Sequence, residues 1–504
     1  MKRLLFMFLC GTLAGDAVAQ QRPNVIIIYA DDVGYGDLSC YGATQVQTPN
    51  IDALAKSGIR FTNGHTTSAT CTPSRYALLT GQYPWRKKGT GVLPGNAAMI
   101  IPPGSPTLAS MMQQAGYQTA LVGKWHLGLG DGSPINWNTA IRPGPNEVGF
   151  NYAFFFPATA DRVPTVFVEN GAIIGSDPND PIEVNYQAKV GNEPTGKENP
   201  ELLKIRSSPG QGHNNTIVNG IGRIGWMKGG FRARWTDEEV AYAFTDKAIE
   251  FMEANRKKPF LLCFNLSDIH VPRMPATAFK GKSKLGYRGD AILQMDWSVG
   301  RIMDKLRQLG LEKNTIVLFS SDNGPVLDDG YVDGAVTQQN GHQSAGPLRG
   351  GKYSAFEGGT RVPWIVSWPG TVKAGGKSDA LISQVDLYAT FAKLTGQKLP
   401  GNAAPDSHDL LPAFLGKKPE GRSWLVLQGG SLSLVQGNWK YITPSKGARL
   451  LKEVNIESGN DEEPQLYDLR ADIGEKQNLA SQYPDKVKAM AAALEQLKNA
   501  SQTR

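Results

Sequence analysis

The chain is short of cysteine and histidine, with four of the first and six of the second among 504 residues. Cys10 lies in a leader-like N-terminus, which leaves Cys40, Cys71 and Cys263. An odd number excludes a disulfide scaffold and leaves at least one thiol over. Whether Cys40 and Cys263 pair stays open; both lie beside apolar stretches, and two buried free thiols is the preferred reading. Six histidines are few for a site of several zinc ions. Past the N-terminus no apolar run is long enough for a membrane-spanning helix. The sequence has no repeat or low-complexity stretch, which excludes repeat architectures. Its net charge of +7 is spread thinly, Arg86-Lys87-Lys88 and Arg256-Lys257-Lys258 being short, so no nucleic-acid partner is expected. The same charge suits a substrate bearing sulfates or carboxylates, or simply a solvated basic surface.

What is present suffices for one large domain and a smaller one, with 57 glycines and 32 prolines for ordered loops. Residues 1–19 read as a signal peptide: Lys2-Arg3, an apolar run from Leu4 to Leu13, and Ala17-Val18-Ala19 as the cleavage site. A lipid anchor at Cys10 is the weaker reading, because Met7-Phe8-Leu9 lacks small residues. The mature chain is expected to start at Gln20 and to be exported, periplasmic or secreted.

Chemistry-bearing residues recur at the ends of apolar runs. Asn24 to Ala30 reads as a central strand covered on both faces, and it ends in Asp31-Asp32. Adjacent carboxylates there repel each other and a cation relieves the repulsion; capping or turn formation is the plain alternative. Pro49 opens an amphipathic helix. Cys71-Thr72-Pro73-Ser74-Arg75 starts another. Pro73 presets a first turn, which puts Cys71 at a helix N-terminus favourable to an anion and Arg75 one turn on. A bare thiol there is either a reactive nucleophile or a small buried hydrophobe. A helix from Thr107 to Gly116 and a strand from Tyr117 to Val122 precede Lys124 and His126, which strand alternation sends to the same side. That pair suits tetrahedral-anion binding with proton transfer.

From Asp131 to Trp235 the pattern loosens into what reads as a substrate-facing surface. Asp161, Arg162, His213, Arg223, Lys228, Arg232 and Arg234 are its pocket candidates; Asp161 and Arg162 could instead pair with each other. Thr236 opens a capped helix to about Asn255, and Pro259 to Leu266 is a strand leading to His270 and Arg273. After a helix from Asp290 to Leu309, the strand Thr315 to Ser321 ends in Asp322-Asn323. These hard oxygen donors would complete a calcium site with Asp31 and Asp32. Glycines around Lys352 allow close backbone approach, and Lys352 can bridge an anion. Short strands follow at Ser423 to Gln428, Leu432 to Gln436, Trp439 to Thr443 and Gln465 to Leu469, then a helix from Pro484 to Lys498. The fold class expected is α/β, a large mixed central sheet sandwiched by helices over residues 20–420, with a smaller α+β subdomain over 421–504.

Cys71-Thr72-Pro73-Ser74-Arg75, with Leu79-Thr80-Gly81 behind it, resembles the signature of type I, formylglycine-dependent sulfatases. Gly123-Lys124-Trp125-His126-Leu127-Gly128, the His270 segment, Ser321-Asp322-Asn323-Gly324 and Arg349-Gly350-Gly351-Lys352 extend the likeness, as does Leu466-Tyr467-Asp468-Leu469. The resemblance implies an alkaline-phosphatase-like fold and a formylglycine-generating enzyme as partner, which oxidises Cys71. Asp31, Asp32, Asp322 and Asn323 would hold calcium, which also touches a hydroxyl of the hydrated aldehyde at Cys71. Arg75, Lys124 and Lys352 would neutralise the sulfuryl oxygens. His270, with Lys352, would protonate the departing sugar oxygen, and His126 would take the proton that releases sulfate. The family's further hydroxyl is not located; the Thr159 loop is one guess. Asp161, Arg162, His213 and Arg273 would grip the sugar. The expected substrate is a sulfated glycan, cut from its end at a galactose or N-acetylgalactosamine sulfate of mucin or glycosaminoglycan. Two alternatives stand. A phosphomonoester or phosphodiester hydrolase of the same superfold would carry Thr or Ser as nucleophile, often with two zinc ions. A non-catalytic sulfated-glycan-binding protein should have lost Cys71, Arg75, Lys124 or His126, and all are present.

Overall fold

The β-branched run Asn24–Ala30 forms a strand with every residue buried. Its side chains alternate between two cores. Val25, Ile27 and Tyr29 pack with Tyr76, Leu78, Leu108, Met112 and Phe391, from helices on one face. Ile26, Ile28 and Ala30 pack with Ile51, Leu54, Phe244, Met252, Ile292 and Val299 on the other. Each buried isoleucine contributes about 1.5–3 kcal/mol relative to exposure, so a strand apolar on both sides is stable only between two helical layers. The computed structural model describes residues 22–504, and the expected signal peptide lies outside the described residues.

Five neighbouring strands run parallel in the spatial order Thr315–Ser321, Asn24–Ala30, Phe260–Asn265, Gln118–Lys124 and Tyr152–Phe156. Antiparallel strands extend the sheet on both sides, Trp364–Ser367 and Ile59–Phe61 on one and Val168–Glu169 on the other. The fold is therefore α/β with a mixed sheet between helices. All five parallel strands end on the same edge, where open α/β sheets bind ligands. Among the described residues no helix is long and apolar enough to cross a membrane, and Cys40, Cys71 and Cys263 are free thiols.

Some boundaries differ from the expected ones. The helix after Thr236 begins as a 3-10 turn, Asp237–Glu239, and its α-helical part is Val240–Ala254; the Thr236 side chain caps nothing. Arg223 holds the Asp237 carboxylate there instead, at 2.9 and 2.6 Å. The next long helix starts earlier than Asp290, spanning Gly286–Gln308, because Asp290 is used sideways to accept from the Gly281 and Ser283 amides.

A separate antiparallel sheet holds Trp424–Gln428, Leu432–Gln436, Trp439–Ile442 and Gln465–Asp468. The helix Pro484–Asn499 covers it through Met490 and Leu494. A buried ion cluster ties it to the large sheet's loops. Lys440 lies 3.0 Å from both Glu357 and Glu475, and Glu475 accepts from the Glu357 amide. Burial, reinforced by Glu357, pushes the Glu475 carboxyl up to about 7 against the pull of Lys440. Glu357 goes the other way, to about 2: burial is outweighed by Lys440, His65 and Arg361. The two signs separate in pH. Glu475 contributes stability in full below its ordinary value of 4.5 and loses it as pH rises through about 7. The Glu357 contribution is lost only as pH falls toward about 2. Between pH 5 and pH 8 the Tm of the wild type should therefore decline relative to that of Glu475→Gln, which lacks this contribution. Parallel profiles for the two proteins would contradict this.

Candidate active site

The pairing of Ala30 with Ser321 sets the residues that follow, Asp31 and Asp322, side by side at the sheet edge. The Asp322 amide donates to the Ala30 carbonyl at 3.1 Å, and the Asp32 amide to Asp322 Oδ1 at 3.3 Å. The turn beyond is tight: a Cβ at Gly34 would lie 2.1 Å from the Ser344 carbonyl oxygen. Asp37 pins it by accepting from the Gly34 amide and from Arg288.

Each buried carboxylate has a cation from a different element. Lys124, the last residue of its strand, reaches Asp31 at 2.7 and 2.9 Å. Arg75 clasps Asp322 Oδ2 through Nε and Nη2 at 3.0 and 2.8 Å. Lys352 divides its ammonium between Asp32 at 2.9 Å and Asp329 at 2.8 Å. Burial raises the Asp31 carboxyl well above the usual carboxylate range, and repulsion from Asp322 and Asp32 adds to it despite Lys124 and Arg75. The pocket is thus still short of positive charge.

The donor set suits a divalent cation. Ligand atoms of Asp31, Asp32 and His270 lie within 4.8 Å of one another. Asn323 gives its amide N–H to Asp32 Oδ1 at 2.7 Å, and its own Oδ1 is buried without a hydrogen-bond partner. Clustered carboxylates beside an orphaned amide oxygen fit a hard, oxygen-seeking ion.

Cys71 is the first residue of the helix Cys71–Thr80 and is 1% exposed. Burial pushes its thiol up, with Lys124 and Lys352 opposing. Ser74 braces the turn by donating to the Ser68 carbonyl at 2.9 Å while meeting Thr66 at 2.6 Å. Thr72 Oγ1 donates to the His126 carbonyl at 3.1 Å, fastening the helix start to the Lys124 segment.

His126 reaches the site by a route other than strand alternation. The strand stops at Lys124, and His126 takes a left-handed backbone with φ of 57°. Its Nε2 pairs with the Leu93 carbonyl at 2.9 Å, so that nitrogen carries the proton and the buried Nδ1 keeps a lone pair without a partner. His270 is tied the other way round, through Nδ1 to the Val271 carbonyl at 2.8 Å, with Nε2 3.9 Å from Asp32. Burial and neighbouring lysines hold both rings neutral, Lys124 acting on His126 and Lys352 on His270.

Of the four residues expected to grip substrate, three form one group. Asp161 accepts from Arg162 at 2.9 Å and from His213 Nε2 at 2.9 Å. Although burial opposes it, Arg162 and His213 hold Asp161 well below the usual carboxylate range. Arg162 keeps 18% of its side chain exposed, so the group has an open end. Arg273 must be corrected. It is fully buried, and Asp333 with the Ile269, Leu327 and Val326 carbonyls takes four of its five N–H donors, so it clamps two loops and offers no exposed guanidinium to a sugar. Arg223 and Arg234 are likewise engaged by Asp237 and Glu193. Thr159 accepts from Arg162 at 2.6 Å. Asp329 went unforeseen; the only signal for it is the acidic turn Asp328-Asp329-Gly330 between Asn323 and Lys352.

A family model described as Sulfatase matches residues 23–397. The chain belongs to the sulfatase family. It is a sulfuric ester hydrolase. An N-acetylgalactosamine-6-O-sulfatase of Bacteroides thetaiotaomicron is 54% identical over 480 residues, covering 95% of this chain and 93% of that protein. Human arylsulfatase A is 31% identical, covering 97% and 89%. A solved structure from work on glycosaminoglycan metabolism by Bacteroides thetaiotaomicron superposes with a TM-score of 0.93 at 53% identity, covering 95% of this chain and all of that one.

Removing Arg75 leaves Asp322 buried with only Lys124, 4.0 Å away and already bound to Asp31, to offset its charge, and breaking a buried pair in this way typically costs about 3–5 kcal/mol. Urea unfolding of Arg75→Ala in chelator should register a loss of about that size. A variant as stable as wild type would show that Asp322 finds another partner.

Proposed function

We propose that this sulfatase removes the 6-O-sulfate from a terminal N-acetylgalactosamine of a sulfated glycan, outside the cytoplasm. The observation that carries this is the 54% identity, over 95% of the chain, to an N-acetylgalactosamine-6-O-sulfatase. The open Asp161–Arg162–His213 group supports it as a hydroxyl- and anion-binding end of the pocket. The phosphoryl-transfer and non-catalytic readings are not favoured, since the family and its named relatives are sulfatases.

Oxidised to formylglycine by its maturing enzyme, residue 71 would supply a hydroxyl of the hydrated aldehyde as nucleophile. Calcium, held by Asp31, Asp32, Asp322 and Asn323, would supply Lewis acidity toward that hydroxyl and the sulfate. Lys124 and Lys352 bring positive charge to the sulfuryl oxygens, while Arg75, engaged by Asp322, fixes the ligand frame. His126 is suited to accept a proton at its unpartnered Nδ1. His270 arrives neutral because of burial and the lysines. A bound sulfate offsets those lysines, so the ring can take up a proton and pass it from Nε2 to the leaving oxygen, with Lys352 beside it.

Cys71→Ala should fold normally, release no sulfate and lack the thiol-to-aldehyde mass change that intact-mass spectrometry finds in the wild type. Turnover by that variant would end the formylglycine reading. Chelation should abolish activity and lower Tm, and calcium should restore both; restoration by zinc alone would favour a phosphatase-like site. On a panel of position-defined monosulfated sugars, 6-sulfated N-acetylgalactosamine should be cleaved fastest. Cleavage of aryl sulfates only, or of gluco-configured sugars only, would overturn the substrate assignment.

A further inference from the structure

Nine described non-glycine residues have positive φ: Asp32, His126, Asn170, Asn219, Asn340, Tyr353, Ala404, Asn455 and Glu475. Four are asparagines, which enter the left-handed region readily. Of the other five, Asp32 and His126 belong to the site just described, and Tyr353 directly follows its Lys352. Strained residues gather where surrounding structure holds them for a purpose. Asp32 and His126 have theirs. Tyr353, at φ of 74° the bulkiest of the group, has none so far.

Its surroundings hold it in that strained state. The Tyr353 amide donates to the carbonyl of Ala69, two residues before Cys71, at 2.8 Å. Its hydroxyl donates to Asp329 Oδ1 at 3.1 Å, and the same carboxylate holds Lys352. The Lys352 ammonium stands 5.4 Å from the ring centroid. Tyr353 nevertheless keeps part of its surface open, and Asp329 keeps 12% of its side chain exposed. Half-buried Tyr353 is thus tied through its amide to the segment that carries the nucleophile and through Asp329 to Lys352, whose ammonium stands over its ring.

We propose that Tyr353 is a specificity-determining residue whose ring packs against the terminal sugar, with Asp329 as the positioning residue that holds ring and ammonium together. This rests on the sulfated-sugar reading above. A galactose-configured ring carries its axial hydroxyl on one face and leaves the C–H groups of C3, C4, C5 and C6 as an apolar patch on the other. Tyr353 matches that patch, and a sulfate on C6, at its edge, falls toward the adjacent Lys352.

The test uses the mature enzyme with Tyr353→Gly, Tyr353→Asn and Tyr353→Phe. Wild type is first run on the monosulfated panel, which alone judges the 6-sulfate reading; the variants are then compared on whichever sugar wild type cleaves best. Glycine and asparagine both relax at this φ, which offsets part of the packing lost with the ring, so both variants should still unfold cooperatively and their Tm is recorded beside the kinetics. Their KM should rise about tenfold with a smaller change in kcat, the mark of lost binding contact. Phenylalanine, which keeps the ring, should stay within about threefold of the wild-type KM. Unchanged KM in the ringless variants, or loss confined to kcat, would overturn the proposal. So would a phenylalanine variant as impaired as the glycine one, which would assign the effect to the hydroxyl and Asp329. If one ringless variant fails to fold, the other decides.

Discussion

Three buried carboxylates repelling one another, Asp31, Asp32 and Asp322, are the constraint around which this sulfatase is arranged. Strand pairing forces them together, because Ala30 and Ser321 are register partners and each is followed by an aspartate. Buried charges in such proximity are tolerated only when compensated. Arg75 comes from the helix of Cys71, Lys124 from a strand end and Lys352 from a glycine-rich loop. Separate parts of the chain are therefore drawn to one point by electrostatics, and two of the residues that compensate the charge, Lys124 and Lys352, are the ones proposed to meet the sulfate.

The parts most legible in the sequence are those where short-range physics decides. Thr315–Ser321 is a strand with the boundaries its apolar run suggests, and Cys71 heads its helix because Pro73 suits a first turn. The failures occur where distant partners decide. Thr236 has the pattern of a cap, yet its hydroxyl caps nothing, and Asp237 is taken by Arg223. Arg273 looks like a pocket cation, but carbonyls from a loop some fifty residues away use its donors. No local pattern distinguishes an arginine that binds carbonyls from one that awaits a substrate. Lys124 and His126 both reach the site, but a left-handed turn carries the second one, and alternation does not foresee such a turn.

Asp329 and Tyr353 show the same limit from the other side. Each is an ordinary loop residue by type, and each becomes notable only through what it touches: Lys352, Ala69 and the other member of the pair. The carboxylate and cation frame is thus read from strand ends, whereas the walls proposed to meet the sugar come from loops whose conformation is fixed from outside.

The order of strands has a kinetic consequence. Asn24–Ala30 lies inside the parallel array, second in its order, and its two neighbours are Phe260–Asn265 and Thr315–Ser321. The first strand of the described chain therefore stays unpaired until more than half of the polypeptide has been made, and its second edge waits longer still. Pairings of such sequence separation are slow, since loop closure must precede the contacts that reward it. The sheet edge that carries the site is accordingly among the last features to form, and while it waits, an apolar strand stands uncovered as a hazard for aggregation.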